Sequence, residues 1–181
     1  MVLPIYTYGQ SVLRKPTEEI DASYPNIKEL INDMFETNQK ADGCGLAAPQ
    51  VGLSIRLFIV DGTLLDKDYP ECKGFKKVFI NPQIIEKSED TTNYEEGCLS
   101  LPGISERVVR PKTITIKYLD EDFNEHVETL TDFAARIVQH EYDHLEGHVF
   151  TDRISMIRKQ LVNGKLRKIQ DKKVSCRYKT K

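Results

Sequence analysis

The sequence predicts an α+β fold, with antiparallel strands packed around a central helix that carries an HExxH motif. Three observations lead there. Near the N-terminus, apolar residues recur with a helical period. The middle of the chain holds short strand-like runs joined by turn residues. A second helical pattern then runs into Gln139-His140-Glu141-Tyr142-Asp143-His144. A helix, a group of strands and a second helix, with hairpin connections, is the element order of the α+β class.

Taken in order, residues 24–41 read as an amphipathic helix, because Ile27, Leu30, Ile31, Met34 and Phe35 fall at i, i+3, i+4, i+7 and i+8. Ser23 or Asp21 can cap it, with Pro25 in the first turn. Gly43 ends the pattern, and Gly43-Cys44-Gly45-Leu46-Ala47-Ala48-Pro49-Gln50 reads as a loop with small residues that leave room for a ligand. Strands are expected at Ile55–Asp61, Lys77–Ile85 and Thr113–Leu119, the last alternating Ile114, Ile116 and Tyr118. Asp120–Glu125 reads as a hairpin turn into His126–Leu130, and Gly62–Gly74 as a polar surface insertion. The motif helix spans about Thr131–Glu146, capped by Thr131 and ended by Gly147. A last helix is expected over Ile154–Ile169, with Asn163-Gly164 as a point where it could break.

The chain has 181 residues, 39% of them hydrophobic and 30% charged, which suits one soluble domain with a sizeable core. No apolar run approaches the ~20 residues of a membrane span. The N-terminus lacks the charged and apolar segments of a signal peptide. The four cysteines show no close pairing, so reduced thiols and a cytoplasmic location are expected. Net charge is −2, but residues 153–181 hold 11 Lys/Arg and one acid, leaving 15 bases and 27 acids elsewhere. A basic tail on an acidic body points to a polyanionic partner or to a solvated chain end.

The chemistry concentrates in the second helix. His140 and His144, four residues apart, leave one helix face a turn apart and can bind one divalent metal, with Glu141 as general base. A third ligand is needed, and the residues alone leave it open. Position 150, where one zinc-protease pattern has its third His, is Phe150, and no Glu follows Glu146. His148 lies past the helix terminator, and His126 lies in a polar strand. Cys98, in Glu95-Glu96-Gly97-Cys98-Leu99-Ser100, is the better donor, although a free Cys is usually a buried small hydrophobe.

Three blocks together resemble the peptide deformylase family: GCGLAAPQ (residues 43–50), EEGCLSLP (95–102) and QHEYDHLEG (139–147). The resemblance covers roughly residues 3–155, and Cys44 stands where an aliphatic residue is common. It implies a bacterial-type, iron-dependent catalytic domain over 1–155 and leaves 156–181 as a basic C-terminal helix or tail. It implies Cys98, His140 and His144 as metal ligands and Glu141 as the base. Gln50 and the Leu99 amide would stabilise the oxyanion. Gly45, Leu46, Ile137 and Val138 would contact substrate, with Arg136 at the pocket rim. The implied ion is one Fe²⁺ per chain, replaceable by Zn²⁺, Ni²⁺ or Co²⁺. The implied substrate is the N-formyl-Met end of a nascent peptide, with the ribosome exit region as a partner of the basic tail and no membrane partner. The alternative that HExxH alone leaves open is a zinc endopeptidase.

Overall fold

The computed structural model of the chain covers residues 1–181. A five-stranded antiparallel sheet forms its centre. Its strands are β1 (Gly45–Ala47), β2 (Leu57–Asp61), β3 (Lys76–Lys87), β6 (Thr113–Leu119) and β7 (Glu125–Thr131), in the order β1-β2-β3-β6-β7. A separate hairpin joins β4 (Thr91–Cys98) to β5 (Leu101–Pro111). Three helices complete the fold: α1 (Ile27–Lys40), α2 (Asp132–Leu145) and α3 (Met156–Gln170). This is the α+β arrangement the sequence predicts. No helix is long and apolar enough to cross a membrane.

The sheet is apolar on both faces because successive side chains of a strand point to opposite sides. Leu57 and Ile59 of β2 join Ile27, Ile31 and Met34 of α1 on one face. Phe58 and Val60 join Ala134, Ala135, Ile137, Val138 and Leu145 of α2 on the other. Both helices are thus fixed by the pleat of one central strand. The opposite side of α2 presents Arg136, His140, Asp143 and His144, at i, i+4, i+7 and i+8, and this face meets the β4–β5 hairpin through Glu96, Arg110 and Cys98. Helix α2 is therefore enclosed, with an apolar face on the sheet and a polar face on the hairpin.

Several local expectations are corrected. Helix α1 begins at Ile27, after Asn26 in a left-handed conformation (φ 56°), while Asp21 Oδ1 accepts the Ser23 N–H at 2.8 Å instead of capping the helix. The 43–50 block is not a loop throughout: Gly45–Ala47 is the edge strand β1, and Ala48–Val51 is a 3₁₀ turn. The 62–74 insertion is not merely polar surface. Its Cys72 is fully buried, its Tyr69 stacks on Phe133 at 4.0 Å, and Glu71 Oε1 accepts the Phe133 N–H at 2.9 Å. The start of α2 is thus capped from the insertion, and Thr131 makes no side-chain cap bond. Helix α3 passes through Asn163-Gly164 without a break, because Val162, Leu166 and Ile169 on either side bury against the hairpin and Phe150. That burial outweighs the ~1 kcal/mol a helical glycine costs.

The chain beyond α3 turns back to the body. Ile5 pairs with Thr180 as an isolated parallel bridge, its N–H donating to Lys179 O and its carbonyl accepting from Lys181, both at 2.9 Å. Truncation after Leu161 removes Val162, Leu166 and Ile169 as well as this pairing. Each buried aliphatic side chain contributes about 1.5–3 kcal/mol. The truncated protein is therefore expected to be several kcal/mol less stable and to unfold at a lower urea concentration. An unchanged urea midpoint would show that the tail contributes nothing to stability.

Candidate metal centre and substrate cleft

The atoms that matter are brought together by one helix and one hairpin end. Cys98 closes β4 at a register shift after Gly97, followed by the two-residue turn Leu99-Ser100. The Cys98 thiol and one nitrogen each of His140 and His144 all lie within 4.8 Å of one another. Cys98 Sγ is 3.4 Å from His144 Nε2. A tetrahedral ion with a sulfur at 2.3 Å and a nitrogen at 2.0–2.1 Å places those two donors roughly 3.5 Å apart. His126 and His148, both about half exposed, lie with Asp120 and Asp152 and take no part.

Glu96 orients the set. Its carboxylate is buried and accepts from His140 Nδ1 at 2.8 Å, from Arg110 Nε at 2.7 Å and Nη2 at 3.0 Å, and from Arg136 Nη1 at 2.6 Å. With Nδ1 committed to Glu96, the Nε2 lone pair of His140 is the one left for an ion. Burial by itself would raise the Glu96 pKa. The hydrogen bonds from His140 and Arg110 outweigh it and hold the carboxyl well below its usual range. Asp143 is held low against burial in the same way by Arg153 and Arg110.

The donor set fits a divalent cation. Burial, with His140 beside it, pushes His144 down to about 3, which keeps it neutral with a free lone pair. Burial also works against charge on His140, but its bonds to Cys98 and Glu96 prevail, so the imidazole is held well above its usual value. The surroundings of His140 thus favour positive charge beside Cys98 and Glu96, the charge that a divalent cation held by Cys98, His140 and His144 would supply. A carboxylate bonded to the far nitrogen of a ligand His is also the usual outer partner of such sites.

Glu141 faces the same space. It is buried, its Oε2 has no hydrogen-bond partner, and burial raises it to about 7. Gly45 makes room for it: a Cβ there would lie 2.6 Å from Glu141 Oε1. Gln50 is fixed by its Oε1, which accepts the Ala47 N–H at 2.9 Å, and by its Nε2, which donates to Ser100 Oγ at 3.1 Å and lies 3.5 Å from Cys98 Sγ. These groups border a cleft of about 640 Å³ that also takes in Leu99, Ile137 and residues 174–178.

The sequence-predicted pocket needs three corrections. Val138 and Leu46 do not reach the cleft: both are fully buried in the cores on the two faces of the sheet. Arg136 reaches its wall but is no rim residue. It is 2% exposed, with its guanidinium committed to Glu96, Val108 O and Thr92. The sequence reading missed Glu96, Arg110 and the 174–178 segment. An acid two residues before Cys98 was a usable signal for Glu96. Nothing local marks the other two.

Comparison with known proteins identifies relatives in sequence and in fold. The family model described as "Polypeptide deformylase" matches residues 2–160. A peptide deformylase of Christiangramia forsetii is 46% identical over 99% of this chain and 95% of its own length. One from Flavobacterium johnsoniae is also 46% identical, over 100% and 96%. Among solved structures, Plasmodium falciparum peptide deformylase superposes with a TM-score of 0.83 at 36% identity, covering 93% of this chain and 95% of that one. The Ehrlichia chaffeensis peptide deformylase in complex with actinonin gives 0.84 at 34% identity, covering 96% and 99%. These matches lend the endopeptidase alternative no support. By sequence and by fold, the chain belongs to the polypeptide deformylase family.

Proposed function

We infer that this protein is a metal-dependent hydrolase that removes the N-formyl group from the initiator formyl-methionine of new polypeptides, releasing formate. One observation beyond family membership carries the reading. A Cys-His-His donor set presents two of its members, Cys98 and His140, to a cleft large enough for a peptide end, beside the buried carboxylate of Glu141. Cys98, His140 and His144 are the residues proposed to hold the ion. A bound divalent cation lowers the pKa of water from 15.7 to about 7 and polarises a carbonyl.

The remaining steps belong to side chains. Glu141 accepts the proton of the attacking water on Oε2 and delivers it to the amine as the carbon–nitrogen bond breaks. The formyl carbon, now bonded to the oxygen that came from water, leaves with both oxygens as formate. Gln50 has two N–H donors, and Ser100 takes one of them. The other, which points toward Cys98 Sγ at 3.5 Å, is assigned with the Leu99 N–H to the developing oxyanion, where one such donor typically contributes ~2.7–4 kcal/mol. Gly45 lets a substrate backbone approach, and Ile137 supplies apolar wall for the methionine side chain.

Two finer assignments belong to this proposal. The first is Fe²⁺ as the ion loaded in a cytoplasmic setting. A thiolate with two imidazoles accommodates Fe²⁺, Zn²⁺, Ni²⁺ and Co²⁺ alike, so metal analysis after oxygen-free purification is the test. The second is docking of α3 at the ribosome exit. Exposed Lys165, Arg167 and Lys168 make no ion pair and lie on the helix that also exposes Met156, Ile157 and Leu161. Replacing the three bases with Glu is expected to abolish low-salt co-sedimentation with ribosomes while leaving formyl-Met peptide hydrolysis intact, because rRNA phosphates bind by counterion release. Unchanged sedimentation would remove that partner.

Glu141→Gln is expected to keep the metal and lose about 10²–10⁴ in kcat, since an amide cannot take the proton. The parent's acidic limb of log kcat/KM should fall off below an inflection no higher than about 7, because the base form is the ionised one and a cation lowers its pKa further. The same shift has a stability consequence with the opposite sign. A carboxyl raised from 4.5 to about 7 contributes full stability below 4.5 and loses it as pH rises through 7. Metal-free Glu141→Gln should therefore be more stable than metal-free parent at pH 8, by on the order of 3 kcal/mol, and no more stable at pH 4. Equal urea midpoints at pH 8 would contradict the desolvation argument.

Cys98→Ser is expected to lose most bound metal on dialysis, because a neutral hydroxyl replaces a thiolate. Cys44, whose thiol burial pushes up to about 12, and Cys72, pushed up to about 11, serve as controls and should retain metal as Ser variants. Equal metal loss in all three would exclude Cys98 as the specific ligand.

A further inference from the structure

The segment that follows α3 reaches the cleft, and one of its side chains bonds to the turn beside Cys98. Val174, Ser175, Cys176, Arg177 and Tyr178 all border the cavity. The Tyr178 hydroxyl donates to the carbonyl oxygen of Leu99 at 2.7 Å. Leu99 and Ser100 are the two central residues of the turn that joins β4 to β5. The peptide between the central residues of such a turn has no partner within the turn, and its reversal interconverts the common turn types. The Leu99 carbonyl belongs to that peptide. A bond to it fixes which way the peptide faces, and with it ψ of Leu99 and φ of Ser100.

Both groups assigned to the oxyanion depend on this turn. The Leu99 N–H sits on the preceding Cys98–Leu99 peptide, which is hinged at the Leu99 Cα to the peptide that Tyr178 holds. Gln50 is aimed through Ser100 Oγ, which it reaches at 3.1 Å and which itself donates to Tyr6 O at 2.7 Å. We propose that Tyr178 is a positioning residue for deformylation, holding the Leu99-Ser100 peptide so that the Leu99 amide and the Gln50 side chain keep their aim. The inference rests on the oxyanion assignment above. It assigns the C-terminal segment a part in the reaction that is separate from its part in stability.

The segment does not depend on Tyr178 for its course. Arg177 pairs with Asp42 at 2.8 Å and donates to Ala41 O at 3.3 Å, and Lys179 and Lys181 pair with Ile5. Tyr178→Phe therefore removes one hydroxyl and keeps the ring and the path of the chain. The test compares parent, Tyr178→Phe and Tyr178→Ala, each loaded with the same metal and assayed for formate release from a formyl-Met tripeptide, with metal content and urea midpoint measured in parallel. Tyr178→Phe is expected to match the parent in metal content and KM and to lose about three- to tenfold in kcat, the range one net hydrogen bond supports. Tyr178→Ala should lose at least as much in kcat. A purely structural role predicts a lower urea midpoint with unchanged kcat. That result, or a loss confined to KM, would overturn the proposal. An inactive parent would instead overturn the functional reading beneath it, so the two failures are distinguishable.

Discussion

A single buried carboxylate holds the site together. Glu96 accepts from two arginines and a histidine while almost wholly removed from water. Burying a charge is tolerable only when it is paired and its lone pairs are filled, and removing one member of such a set strands the others at a cost of several kcal/mol. Arg110 comes from β5, Arg136 and His140 from α2, and Glu96 from β4. None of these elements can shift against another without breaking a bond to the same pair of oxygens. The consequence for chemistry is direct: the bond that secures the hairpin to α2 also fixes the ring of His140.

The placement of Glu141 shows the opposite choice. Its carboxyl is buried without a charged donor, and burial raises it to about 7. Two glutamates within one cleft are thus driven in opposite directions by their surroundings, one lowered by its donors and the other raised by burial. That divergence separates a structural carboxylate from one able to exchange a proton at neutral pH.

Legibility in the sequence followed periodicity. Helix α2 and strand β6 were readable because their apolar residues repeat at the period of the element, and β6 was bounded correctly. The β4–β5 hairpin was not, because its buried face mixes Ile104 and Val108 with Glu106 and Arg110, which read as a solvent face. The ligands were legible for a different reason: a fixed i, i+4 spacing and a local cysteine block are short-range patterns. The pocket wall was only partly so. Ile137 faces the cleft and Val138, one residue on, faces the core, a difference of one helical step that the motif does not encode. The return of residues 174–178 depends on pairing with Ile5, a contact between chain ends that local propensity cannot anticipate.

The cleft is assembled from five stretches distant in sequence: 41–45, Gln50, 95–105, 133–141 and 174–178. A ligand that spans it therefore acts as a reversible clasp across the whole chain. It restrains loops that would otherwise have to be closed by the protein's own contacts, and it binds only the folded form. Occupancy by peptide then raises resistance to unfolding by RT ln(1 + [L]/Kd), so that a protein working among abundant nascent chains is more durable than the same protein at rest.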